Sequence, residues 1–252
     1  MPRKPIVAGN WKMYKTIPEA MALINALRSG ASGISDREIV VAPPFTALAA
    51  AARALDGSGI SLSAQNTCWE NEGAYTGEVS PTMLKDVGCR YVIIGHSERR
   101  HIFGERDETI ARKIRAALDA SLQPIFCIGE TLEERETGET LAVLRRQVKE
   151  GLKLIRGADM GRVVIAYEPV WAIGTGKTAT NEQAQESHSF IRTLLEGLFE
   201  KNIASDLRIL YGGSVKAGNV DGLMAQPDID GVLVGGASLE ADSFLRIIKF
   251  ER

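Results

Sequence analysis

Eight short runs of apolar, mostly β-branched residues recur along the 252-residue chain, about one every 30 residues. They are Ile6 to Ala8, Ile39 to Ala42, Ile60 to Ala64, Tyr91 to Ile94, Ile125 to Ile128, Val163 to Ala166, Leu207 to Tyr211 and Val232 to Val234. Each is too short for a buried helix and has the make-up of a strand buried on both faces. Helical patterns fill the gaps. Pro18 suits the first turn of a helix through Ala20, Leu23, Ile24 and Leu27. Phe45 to Leu55 is alanine-rich, and Ile110, Ile114, Ala117 and Leu118 make one apolar face. Leu141, Leu144, Val148, Leu152 and Ile155 make another. Asn181, followed by Glu182, is placed to cap a helix through Phe190, Leu194, Leu195 and Leu198, and Ala241 to Ile248 closes the chain. Strands alternating with helices imply an α/β protein with a parallel sheet covered by helices. Eight such units fit a closed (β/α)8 barrel, one domain over residues 1–252, with an open doubly wound sheet as the second reading. Ser29 to Ser35 is a short connection rather than a domain linker.

Composition narrows the partners. Formal net charge is -2, from 30 basic and 32 acidic residues. No basic block argues for nucleic acid or an anionic membrane surface. The cysteines Cys68, Cys89 and Cys127 are widely spaced and odd in number, which reads as free thiols in a reducing cytoplasm. The apolar run after the basic N-terminus is only Ile6-Val7-Ala8, short of a signal peptide, and no stretch approaches a membrane span.

In a barrel the chemistry sits where the strands end. Strand one delivers Asn10 and Lys12, strand four His96, and strand six Glu168. Strands seven and eight deliver Gly212-Gly213-Ser214 and Gly235-Gly236. The glycine pairs match the phosphate site that barrels build from their last two loops, with a short helix N-terminus after Gly236. Glu168 leads into Pro169-Val170-Trp171-Ala172-Ile173-Gly174-Thr175-Gly176-Lys177, too apolar for an ordinary solvated loop. A carboxylate beside such a lid suits proton abstraction from a carbon acid. His96 opens Gly95-His96-Ser97-Glu98-Arg99-Arg100, where a helix N-terminus is expected to lower its pKa and keep the imidazole neutral. His96, His101 and His188 complete no metal-ligand spacing, so neither a metal nor any other cofactor is expected.

One connection exceeds a simple turn: Asn66 to Ser80 carries Trp69 and Tyr75 among polar neighbours. A partner surface is the favoured reading and a self-packed Ω-loop the other. Cys68 on this loop is a candidate reactive thiol.

Asn10-Trp11-Lys12, Gly95-His96-Ser97-Glu98-Arg99-Arg100, Ala166-Tyr167-Glu168-Pro169-Val170-Trp171-Ala172-Ile173-Gly174-Thr175-Gly176 and Tyr211-Gly212-Gly213-Ser214-Val215 together resemble the triosephosphate isomerase family. The likeness runs from Ile6 to about Lys249 in order and spacing. It implies a TIM barrel that interconverts dihydroxyacetone phosphate and glyceraldehyde 3-phosphate, without a cofactor, in the cytoplasm. By the same resemblance Glu168 would be the base and a neutral His96 the electrophile. Lys12 would supply positive charge and Asn10 a further hydrogen bond. Gly174, Ser214, Gly235 and Gly236 would hold the phosphate, and Pro169 to Lys177 would be the lid, with hinges at Pro169-Val170-Trp171 and Lys177-Thr178-Ala179. Gln65 to Val79 would be an interdigitating homodimer loop with Tyr75 and Thr76 at its tip, a tetramer also being compatible. Glu98 resembles the family's acid beside the histidine, and Cys127 its buried cysteine after strand five. Tyr14-Lys15 departs from the asparagine many relatives carry after the methionine, at a position bordering that interface. Two rivals remain: another phosphate-binding barrel enzyme, and a catalytically silent metabolite-binding protein. The first leaves Glu168-Pro169 and the apolar lid without a purpose. The second predicts loss of Glu168, His96 or Lys12, and the chain keeps all three.

Overall fold

The computed structural model describes residues 3–173 and 178–251. Eight parallel strands close into a barrel in chain order. They are β1 (Ile6–Asn10), β2 (Glu38–Ala42), β3 (Ile60–Ala64), β4 (Tyr91–Ile94), β5 (Gln123–Ile128), β6 (Val164–Tyr167), β7 (Arg208–Tyr211) and β8 (Gly231–Val234). Closure is direct: β1 pairs with β2 on one side, Ile6 opposite Glu38, and with β8 on the other, Ile6 opposite Gly231. A closed sheet has no free edge, so its strands are buried on both faces and read as unbroken apolar runs.

Alternation along each strand divides the core in two. Ile6, Ala8, Val40, Ala42, Tyr91, Ile93, Ile125, Cys127, Val164, Ala166, Leu210 and Leu233 fill the barrel interior. Val7, Ile39, Val41, Val92, Ile94, Phe126, Ile165 and Ile209 face outward against the helices. The helix Ile17–Gly30 presents Ala20, Leu23, Ile24 and Leu27 to that outer layer, spaced as one helical face.

Local differences from the sequence reading have local causes. Phe45 to Leu55 splits into a 3-10 turn (Phe45–Ala47) and the helix Leu48–Leu55. The helix that begins at Thr140 stops at Gly151, leaving Leu152 and Ile155 buried beyond its end. Asn181 is not a cap but the first residue of the helix Asn181–Leu198. Thr180 caps it, through a reciprocal box in which the Gln183 backbone N–H donates to the Thr180 hydroxyl at 3.2 Å. Cys127 lies within β5, not after it.

The long connection is partly self-packed. Trp69 and Tyr75 meet edge to face with ring centroids 6.3 Å apart, and the Arg112 guanidinium lies 4.6 Å from the Trp69 centroid. Its tip, including Tyr75 and Thr76, is exposed. Cys68 is buried, as are Cys89 and Cys127, which removes the accessible thiol expected on this loop. Burial pushes the Cys89 thiol up to about 12.

Candidate active site

At the C-terminal mouth of the barrel lies a cavity of about 280 Å3. Asn10, Lys12, His96, Glu168, Ile173, Ser214, Gly235 and Gly236 all line it, so the structure brings together the expected catalytic and phosphate-binding residues that it describes, while Pro169, Val170, Trp171 and Ala172 of the expected lid and Tyr75 and Thr76 of the long loop are not among its lining. Gly174, Thr175, Gly176 and Lys177 lie outside the described residues. Asn10 is the last residue of β1, not the first beyond it.

Glu168 follows β6 directly, its N–H donating to the Ile128 carbonyl at 2.7 Å and extending the ladder. Its carboxylate is buried and takes two donors. Ser97 N–H donates to Oε2 at 3.0 Å, and Oε1 stands 3.0 Å from His96 Nε2. Burial pushes this carboxyl up, but His96, the Ser97 N–H and Lys12 outweigh burial and hold it below the usual range.

His96 Nδ1 accepts the Glu98 N–H at 3.3 Å, which leaves the ring proton on Nε2, facing Glu168. The expected lowering of its pKa is reversed. Burial pushes the imidazole down, but the Glu168 carboxylate, with help from Glu98, raises it. The helix Ser97–His101 has only five residues, so its dipole is a small force beside a carboxylate in contact.

Lys12 has a left-handed backbone, φ +52°. The conformation is held from both sides: Lys12 N–H donates to Asn10 Oδ1 at 3.1 Å, and Gln65 Nε2 donates to the Lys12 carbonyl at 2.8 Å. Its ammonium donates to Glu98 Oε1 at 2.5 Å. That bond suspends a cation over the cavity mouth. On the opposite wall, among the described residues, no protein acceptor takes the backbone N–H groups of Gly213, Ser214 or Gly235. A 3-10 turn (Gly236–Leu239) follows, the short helix expected after the glycine pair. Asn219 shapes the preceding loop, donating to the Ser214 carbonyl at 2.9 Å and accepting from Lys216 N–H at 2.8 Å. Uncommitted N–H groups opposite a lysine make a site for a small anion.

The strand-end reading passed over β5, whose tip delivers Gly129-Glu130. Glu130 is fully buried and accepts from Trp171 Nε1 at 2.9 Å, Tyr167 hydroxyl at 3.1 Å and Arg135 at 3.2 Å. It ties the 3-10 turn Val170–Ala172, the first turn of the expected lid, to the scaffold. Reading β5 by the rule used for β6 finds it. Gln65 and Asn219 carry no comparable sequence signal, because their amides act on carbonyls that only the fold brings near.

Fold and site together define a barrel enzyme with a buried carboxylate–imidazole pair, a lysine and a backbone anion cradle. The family model described as Triosephosphate isomerase matches residues 5–251. Proteins named triosephosphate isomerase from Syntrophotalea carbinolica and Citrifermentans bemidjiense are 60% and 59% identical to this chain, over 99% and 98% of it and 99% of each of them. That of Chloroflexus aurantiacus is 56% identical over 99% of this chain and all of its own. The chain belongs to the triosephosphate isomerase family.

Proposed function

We propose that the protein interconverts dihydroxyacetone phosphate and D-glyceraldehyde 3-phosphate through an enediolate, as a cytoplasmic enzyme of triose metabolism. The observation that carries this is the convergence of Glu168, His96 and Lys12 on one cavity whose far wall is glycine backbone. Phosphate binds to the N–H groups of Ser214, Gly235 and Gly236, with Gly174 joining them from the lid. The triose then lies between Glu168 and His96. Glu168 removes a proton from one carbon and returns it to the neighbouring carbon. His96 donates its Nε2 proton toward the carbonyl oxygen that gains charge, and Lys12 and Asn10 stabilise the same oxyanion side.

Base and electrophile are bonded to each other across the cavity. A substrate that inserts between them removes from Glu168 the imidazole that contributes most to depressing its pKa, which strengthens the base. It also removes from His96 the carboxylate that raises its pKa, which leaves burial to favour the neutral ring. One exchange tunes both groups in the direction the reaction needs. Lid closure over Pro169 to Lys177 excludes water and protects the enediolate.

A homodimer completes the proposal. Met13, Ile102 and Phe103 are 94%, 71% and 68% exposed, and Tyr75 is 42% exposed at the tip of the long loop. Apolar groups presented this openly suit burial against a second copy. Gln65, at the root of that loop, also donates to the Ala42 carbonyl at 2.8 Å, so packing of the loop bears on the Lys12 backbone. No helix among the described residues is long and apolar enough to cross a membrane.

The test is conversion of glyceraldehyde 3-phosphate to dihydroxyacetone phosphate by the purified chain in EDTA, beside Glu168→Ala. Fast conversion that collapses in the variant is expected. A folded, dimeric wild-type sample with no conversion would overturn the proposal.

A further inference from the structure

Past the end of β4 at Ile94, the last two residues of β5, Cys127 and Ile128, have no strand beside them on that side, yet the backbone there is not left open. Two side chains take the missing strand's place. The first is Arg100, whose Nε donates to the Gly95 carbonyl at 2.8 Å and whose guanidinium also reaches the Cys127 carbonyl at 3.1 Å. The second is Gln147, buried on the helix Thr140–Gly151. Gly129 N–H donates to Gln147 Oε1 at 2.8 Å, and Gln147 Nε2 donates to the Gly129 carbonyl at 3.1 Å. A primary carboxamide bonded on both sides to one residue reproduces the donor and acceptor that a neighbouring strand supplies.

Gly129 lies directly beneath the proposed base. A methyl group there would fall within the van der Waals shell of the Glu168 carbonyl oxygen, so backbone presses on backbone. The residues on either side of Gly129 carry the remaining links, Glu168 N–H to the Ile128 carbonyl at 2.7 Å and Val170 N–H to the Glu130 carbonyl at 3.0 Å. Any drift of the Gly129 peptide therefore moves the Glu168 backbone and, through Glu130, the tether on Trp171.

We propose that Gln147 is a positioning residue for the isomerisation, holding Glu168 and the lid root in register by clamping the Gly129 peptide. It rests on the assignment of Glu168 as base. Gln147 touches no substrate, so its loss acts on turnover and not on binding. A displacement of the base of the order of 1 Å costs about 100-fold, so Gln147→Met is expected to lower kcat by about 10- to 100-fold. KM stays within about twofold, because the phosphate cradle is on the far wall. Gln147→Glu adds a readout that packing alone does not move. Its protonated carboxyl reproduces both hydrogen bonds, whereas its carboxylate cannot donate to the Gly129 carbonyl. Its kcat relative to wild type should therefore rise between pH 9 and pH 6, while that of Gln147→Met stays flat.

Both variants are assayed with glyceraldehyde 3-phosphate alongside Glu168→Gln, with melting curves for each. A folded Gln147→Met with wild-type kcat would overturn the proposal, as would equal losses in kcat and in affinity. So would failure of both Gln147 variants to fold, which would make the residue a purely structural one. If Glu168→Gln turns over normally, it is the base assignment that fails. If it is inactive while Gln147→Met is normal, only the positioning role is lost.

Discussion

The two ends of the barrel both bury charge, and they bury it differently. At the N-terminal end almost every charged atom is committed. Asp230, just before β8, accepts from Arg3 Nε at 2.5 Å, Arg192 at 2.7 Å and Ile209 N–H at 2.9 Å. Arg192 spreads its donors over Asp228, Asp230 and the carbonyls of Ala204 and Leu207. Glu38, at the start of β2, takes the Tyr91 hydroxyl at 2.5 Å and the Arg208 guanidinium. At the C-terminal end, by contrast, Lys12 overhangs an open cavity, the N–H groups of Gly213, Ser214 and Gly235 have no acceptor among the described residues, and Glu168 holds only exchangeable partners. Buried charge is thus no mark of function in itself. Saturated, it fixes the geometry of strands. With bonding capacity left over, it is ready for a ligand.

If that contrast is right, damage at the two ends should separate cleanly into turnover and stability. The largest loss is expected for Glu168→Ala, about 10^2- to 10^4-fold in kcat, the range for a positioned general base, with a melting temperature close to wild type. A variant as active as wild type would erase the distinction between the ends. At the other end, Arg192→Met leaves buried carboxylates short of a partner and should cost about 3–5 kcal/mol in denaturant unfolding. Its kcat per folded molecule should hold, and a selective collapse of kcat would show that the ends are coupled. Lys12→Met removes a preorganised cation and should cost about 3 kcal/mol of transition-state stabilisation, split between kcat and KM. Near-normal kinetics would remove Lys12 from the site.

The smallest expected effect is on acid stability. Burial pushes the Glu38 carboxyl up, but the Tyr91 hydroxyl and Arg208 outweigh it and leave the folded pKa depressed. A depressed carboxyl stabilises the fold above its unfolded pKa of about 4.3, and that contribution is lost as pH falls through the folded value. Glu38→Gln should therefore cost about 1–2 kcal/mol at neutral pH and show a shallower loss of stability below about pH 4. Parallel acid limbs for the two proteins would mean that another group sets the acid response.

The same contrast marks how far the residues could be read in one dimension. Eight strands were legible because burial on both faces writes itself as an apolar run, and none of the eight is displaced by more than two residues. Asn10, Lys12, His96 and Glu168 were legible because strand ends in a barrel point to one mouth. The saturated end left no such trace, since Arg3, Arg192 and Asp230 meet across the chain. His96 shows the same limit. Its helix position was visible, but the carboxylate that reverses its pKa comes from just past the end of β6, 72 positions away, 168 against 96. Cys68 read as a reactive thiol from its loop, and the loop's packing covers it.

Lys12 sets two demands on one residue. Its ammonium belongs to the site, while its φ of +52° is one that glycine adopts without cost and lysine does not. Holding a lysine there stores about 1–3 kcal/mol of conformational energy, kept in place by Asn10 and Gln65. The best residue for the chain at this position is therefore not the best residue for the reaction. Selection for heat resistance alone would drift toward glycine here and arrive at a sturdier barrel stripped of the cation its site is built around.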